Sequence, residues 1–103
     1  MRLEPDQVKA IKSVLRQYLN VSYELYLYGS RTQDDLKGGD IDLLVITDAT
    51  GVQLFSNKKL DILVDIKKQP TVGQRKIDIK AATDQLIQTE HFLKHIWPSC
   101  VKL

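Results

Sequence analysis

At 103 residues the chain has room for one ordinary domain and no second. With 43% hydrophobic and 27% charged residues it can bury one modest core, which excludes wholesale disorder. The 15 Lys+Arg against 13 Asp+Glu leave only +2, which argues against holding nucleic acid mainly by bulk charge.

The first segment predicts an amphipathic helix. Pro5 suits the first turn, where Glu4 and Asp6 complement the helix N-terminus. Val8, Ile11, Leu15, Tyr18 and Leu19 recur at helical spacing, Val14 widens the stripe, and Asn20 is the stop. The aromatic run Ser22–Tyr28 reads as a strand ending at Gly29. Gly29 to Gly39 is polar and glycine-bounded, a surface connection. Asp40–Thr47 opens with alternation and becomes continuously apolar, as in a strand whose start reaches solvent and whose remainder is buried.

The stretch from Thr50 to Gln69 fits two patterns. Leu60, Leu63 and Val64 suit a helix stopped by Pro70, whereas Leu60, Ile62, Val64 and Ile66 alternate as a strand would. Helix is the favoured reading. Arg75–Ala81 is a short alternating strand. Thr83–Trp97 returns to helical spacing through Leu86, Ile87, Phe92, Leu93 and Ile96, and Pro98 ends it. The order helix, strand, strand, helix, strand, helix predicts an α/β or α+β domain, a small mixed sheet flanked by helices.

Chemistry concentrates between Gly29 and Asp42, where a strand ends in Gly-Ser and the next begins Asp-Ile-Asp. Aspartates at i and i+2 on a strand share a face, with Cα atoms roughly 6.5–7 Å apart, so Asp40 and Asp42 can converge on one or two divalent cations. Like charges at ~4 Å repel by about 4 kcal/mol at an effective dielectric of 20. Mg²⁺, which favours carboxylate and phosphate oxygens, would offset that repulsion. Gly29 allows close backbone approach to a phosphate, the Ser30 hydroxyl can hydrogen-bond it, and Arg31 adds a fixed positive charge. Either dipeptide alone is ordinary: Gly-Ser makes turns and Asp-x-Asp begins solvated strands. Their conjunction in one strand–loop–strand unit is far more specific.

The window LYGSRTQDDLKGGDIDLLV resembles the signature of the DNA polymerase β-like nucleotidyltransferase superfamily, and within it the minimal nucleotidyltransferases (MNT proteins) of prokaryotes. Gly29 and Ser30 match the Gly-Ser, Asp40 and Asp42 the Asp-x-Asp, Leu43–Ile46 the apolar run, and Asp78 in KIDIK the third carboxylate. The spacer from Ser30 to Asp40 is one residue shorter than the commonest form, and Thr32-Gln33-Asp34 replaces the usual Ala-Arg-Gly. The resemblance implies a polymerase β-like fold over one minimal domain, residues 1–103. It implies that Asp40, Asp42 and Asp78 hold two Mg²⁺ ions, and that Gly29, Ser30 and Arg31 hold the phosphates of ATP. Asp78 would also accept the acceptor's proton, directly or through water. It further implies an antitoxin that transfers AMP to a HEPN-domain ribonuclease toxin, in a hetero-oligomer.

Blander readings stand beside these. Asp78 can be a solvated strand residue, and if Leu60–Ile66 is strand, Asp61 and Asp65 rival it for the third carboxylate. His91 and His95 share an i, i+4 spacing but lack a third ligand nearby, so a solvated or partner-facing pair is expected. Lys67-Lys68 and Arg75-Lys76 read as surface charge. Tyr23, Tyr26 and Tyr28 read as strand and core residues. Cys100, the one cysteine, reads as a packed or idle thiol and fits a reducing cytoplasm. No segment approaches the ~18–20 apolar residues of a membrane span, and MRLEPDQVKA has no secretory-type apolar core.

The expected function is therefore Mg²⁺-dependent transfer of AMP from ATP to a partner protein, in the cytoplasm. The alternatives are an antitoxin acting by stoichiometric binding without catalysis, or a nucleotidyltransferase for a small molecule or RNA end. Nucleic acid is not expected as a direct ligand. The length nearly coincides with a minimal catalytic unit, so the acceptor is expected on a separate polypeptide.

Overall fold

The computed structural model describes residues 3–28, 41–72 and 76–103. Their elements are α1 (Pro5–Tyr18), β1 (Tyr23–Leu27), β2 (Ile41–Thr47), α2 (Ala49–Lys67), β3 (Ile77–Ala82), α3 (Asp84–Thr89), α4 (His91–Ile96), one 3₁₀ turn (Trp97–Ser99) and β4 (Val101–Lys102). The strands form one mixed sheet in the order β3-β2-β1-β4. β1 pairs antiparallel with both β2 and β4, while β2 and β3 run parallel with α2 as their crossover. This is the expected α+β architecture.

Burial explains the sequence pattern of β2, which sits inside the sheet. Ile41, Leu43 and Val45 face one core with Ile11, Leu15, Phe55, Ile62 and Ile66 of α1 and α2. Leu44 and Ile46 face a second core with Ile87, Leu93 and Ile96 of α3 and α4. Both faces are covered, so alternation of polarity gives way to a continuous apolar run. Only near its start does β2 carry a half-buried polar residue, Asp42.

Local chemistry fixes the helix ends. In α1, Pro5 occupies the first turn, and the Gln7 side chain accepts a hydrogen bond from the Glu4 backbone N–H at 2.9 Å. The Gln7 amide also donates to the Thr71 carbonyl at 3.0 Å, so this buried polar side chain is satisfied and ties α1 to the turn after α2. At the start of α2, Asp48 accepts from the Gly51 N–H at 2.8 Å. A Cβ on Gly51 would lie 2.6 Å from Thr47 Cγ2 and closer still to the Thr47 hydroxyl, so the absence of a side chain lets α2 leave β2 this tightly.

The structure differs from expectation in three places. The segment 83–97 is two helices rather than one. Glu90 is extended (φ −86, ψ 126) and its carboxylate caps α4 by accepting from the Leu93 N–H at 2.9 Å. On a straight helix Ile87 and Leu93 would lie about 120° apart, and the break lets both reach the sheet. Leu86 and Phe92, read as part of the core stripe, are exposed. The helical reading of 50–69 holds, yet its buried face is Phe55, Ile62 and Ile66, with Leu60 74% and Val64 44% exposed. The third difference is β4, which no sequence pattern announced. It covers the outer edge of β1, and Leu103 N–H donates to the Leu25 carbonyl at 2.9 Å. Among the described residues, no helix is long and apolar enough to cross a membrane.

Candidate active site

Asp42 and Asp78 are register partners, each the second residue of its strand in the parallel pair β2–β3. Adjacent strands lie about 4.7–4.9 Å apart and register partners point to the same face, so the two carboxylates are neighbours. Ile77 and Ile79 are buried on the α1/α2 side, which by alternation commits Asp78 to the other face.

Tyr28 closes this corner of the sheet. Its backbone N–H donates to the Asp42 carbonyl at 3.0 Å, carrying the β1–β2 pairing one residue beyond β1. Its hydroxyl donates to Asp78 Oδ2 at 3.2 Å. Tyr28 is 5% exposed, and its ring meets the Phe92 ring of α4 edge-on, centroids 6.3 Å apart. Burial first, and then the negative charge of Asp78, push the Tyr28 phenol well above its usual range, so it stays a proton donor to the carboxylate. Lys80, two residues after Asp78 on the same face, sets Nζ 3.5 Å from the same Oδ2 and 5.6 Å from the centre of the Phe92 ring.

The expected site residues divide cleanly. Asp42 and Asp78 come together, while Gly29, Ser30, Arg31 and Asp40 lie outside the described residues. The rivals Asp61 and Asp65 are on α2, across the sheet from Asp78, and Asp65 instead accepts a hydrogen bond from the Tyr18 hydroxyl of α1. Tyr28 does belong to the core by its ring, but its hydroxyl belongs to the site, which sequence reasoning missed. Lys80 was missed as well. The available signals were the placement of Tyr28 directly before Gly29 and of Lys80 at i+2 from Asp78. His91 and His95 are both exposed, and among the described residues no three acidic, His or Cys side chains gather as a metal site. Cys100 is half-buried, and burial pushes its thiol up, away from nucleophilic character.

A model of the family described as Polymerase beta, Nucleotidyltransferase matches residues 9–97. The chain belongs to this family. Its match takes in the whole strand–loop–strand window and both described carboxylates, and nucleotidyl transfer is the chemistry of the family. Among curated proteins, no sequence matches the chain significantly. A pocket of about 480 Å³ lined by Asp84, Ile87, Gln88, Lys94, Trp97 and Pro98 shares no residue with the carboxylates.

The donor set suits a hard divalent cation: two neighbouring carboxylates on one face, with Asp40 preceding β2 by one residue in the sequence. Both contacts to Asp78 fall on Oδ2, so among the described residues its Oδ1 is the oxygen left for a ligand.

Proposed function

We propose that this chain is a Mg²⁺-dependent nucleotidyltransferase that moves AMP from ATP onto a partner protein, as the antitoxin of a HEPN-domain ribonuclease toxin in the cytoplasm. The observation that carries the chemical part is the facing of Asp42 and Asp78 across the β2–β3 pair, within a chain of the nucleotidyltransferase family. The partner part rests on the resemblance of residues 27–45 to minimal nucleotidyltransferases. Leu60 and Val64, one turn apart on the solvent side of α2, are apolar surface that a protein partner would cover.

In this reading Asp40, Asp42 and Asp78 hold the metal. When bound, the metal supplies positive charge to the phosphate oxygens and to the acceptor hydroxyl. Gly29 and Ser30 hold the terminal phosphates and Arg31 balances their charge. The acceptor oxygen forms a bond to the α-phosphorus while the bond to pyrophosphate breaks. Asp78 takes the acceptor's proton, directly or through a water, and Tyr28 keeps that carboxylate oriented.

The test is transfer of label from α-labelled ATP, with Mg²⁺, to a HEPN protein encoded beside this chain, using wild type, Asp42→Asn and Asp78→Asn. Label on the partner with wild type alone supports the reading. Full neutralisation of the toxin by all three proteins without label would overturn catalysis in favour of binding.

A further inference from the structure

Among the described residues of this corner, Lys80 carries a charge for which the proposed chemistry supplies no role. Its stem starts opposite Leu44, which is fully buried, and its partly exposed ammonium lies back along the strand toward Asp78. There it rests between Asp78 Oδ2 at 3.5 Å and the face of the exposed Phe92 ring, 5.6 Å from its centre. Tyr28 donates to the same oxygen from the other side of the corner. The Asp78 carboxylate thus already carries a resident cation.

We propose that Lys80 is a built-in counter-ion that competes with the divalent metal for Asp78 and makes metal binding depend on the nucleotide. This deepens the nucleotidyltransferase reading and rests on it. A dication arriving alone must displace an ammonium and then sit beside it, so like-charge repulsion weakens its binding. A dication arriving with a polyphosphate brings the anion that takes over the freed ammonium. The tether of Lys80 is short: it is held on β3 two residues from Asp78, so the ammonium stays near the corner when displaced. Phe92 offers it a resting face in the meantime. Lys80 and Asp78 are both partly exposed, so the competition is a modulation and not a block.

The test is direct binding of Mn²⁺ to the full chain, followed by electron paramagnetic resonance, with and without a non-hydrolysable α,β-methylene ATP analogue. The proteins are wild type, the neutral variants Lys80→Gln and Lys80→Thr, the charge-preserving Lys80→Arg, and Asp78→Asn, each checked for folding by circular dichroism. Both neutral variants should bind Mn²⁺ alone about three- to tenfold more tightly than wild type, in line with a partly screened charge pair. They should also lose most of the tightening that the analogue gives wild type, and Lys80→Arg should behave as wild type. Neutral variants that bind Mn²⁺ equally or more weakly, while Asp78→Asn has lost the ion, overturn the role of Lys80 and leave the metal-site reading intact. Mn²⁺ binding unchanged by Asp78→Asn overturns both.

Discussion

Gly51→Ala tests the packing that sets α2, and with it the β2–β3 crossover, in place. Carbon atoms in contact normally sit about 3.5–4.0 Å apart. The added methyl would start 2.6 Å from Thr47 Cγ2 and 2.9 Å from Thr47 Cβ, so helix and strand must separate by roughly 1 Å or Thr47 must rotate. Thr47 is 8% exposed and its hydroxyl donates to the Ser22 carbonyl at 2.8 Å, so rotation breaks a nearly buried hydrogen bond. Overpacking costs about 1–3 kcal/mol, and the lost hydrogen bond adds about 0.5–1.5 kcal/mol. Alanine's better helix propensity returns at most about 1 kcal/mol, and less in a first turn. The net destabilisation is about 1–3 kcal/mol, a fall in Tm of roughly 5–20 °C for a domain of this size. Thermal and urea denaturation followed by circular dichroism measure it directly. The double variant Thr47→Ala/Gly51→Ala, which removes two of the three nearest atoms, should be more stable than the sum of the two single effects. A Gly51→Ala protein as stable as wild type, or strict additivity in the double variant, would refute the close-approach argument.

Three other outcomes follow from the geometry. Tyr28→Phe keeps the buried ring and its contact with Phe92 but removes the hydroxyl on Asp78; nucleotidyl transfer should fall about tenfold in kcat with little change in KM for ATP. Unaltered kcat would remove Tyr28 from the site. The Tyr18 phenol is pushed up to about 12 by its hydrogen bond to Asp65, and burial raises Tyr23. Both groups are raised on folding, so their contribution is fully present below the unfolded value near 10 and is lost as pH rises through the folded one. Denaturation midpoints should therefore drop steadily above pH ~10, less steeply in Tyr18→Phe, and equal slopes would count against the Tyr18–Asp65 link. Glu90→Ala removes the cap of α4 and should cost about 0.5–2 kcal/mol, read as a lowered Tm; an unchanged Tm would mean that α4 is held by packing alone.

The strand positions of Asp42 and Asp78 were legible because β2 and β3 both open with alternation of apolar and polar residues, before β2 becomes continuously apolar. Asp78 could be chosen over Asp61 and Asp65 only if residues 50–69 were helical, and the i, i+3, i+4 spacing of apolar residues pointed that way. Which face of α2 is buried was not legible, since Leu60 and Val64 are as apolar as Ile62 and Ile66 and only docking against α1 distinguishes them. The split at Glu90 stayed hidden because glutamate is a good helix former and reveals its capping role only once the chain turns. β4 is two residues long, too short for any periodicity to register. Tyr28 and Lys80 were hidden for a different reason. A tyrosine ending a strand and a lysine alternating with isoleucines are both ordinary, and their shared partner emerges only when three strands and α4 are placed together.

With the proposed roles of Asp42 and Asp78, their pairing would make enzymatic turnover a reporter of strand alignment. Because side chains alternate along a strand, a slip of β3 by one residue would bury Asp78 among Leu43, Ile62 and Ile66 and present an isoleucine to the substrate. The burial of Ile77 and Ile79 on one side therefore also fixes the Asp78 carboxylate on the other. Misaligned molecules would be both unstable and silent, so specific activity, measured during refolding, would count correctly threaded chains and not merely compact ones.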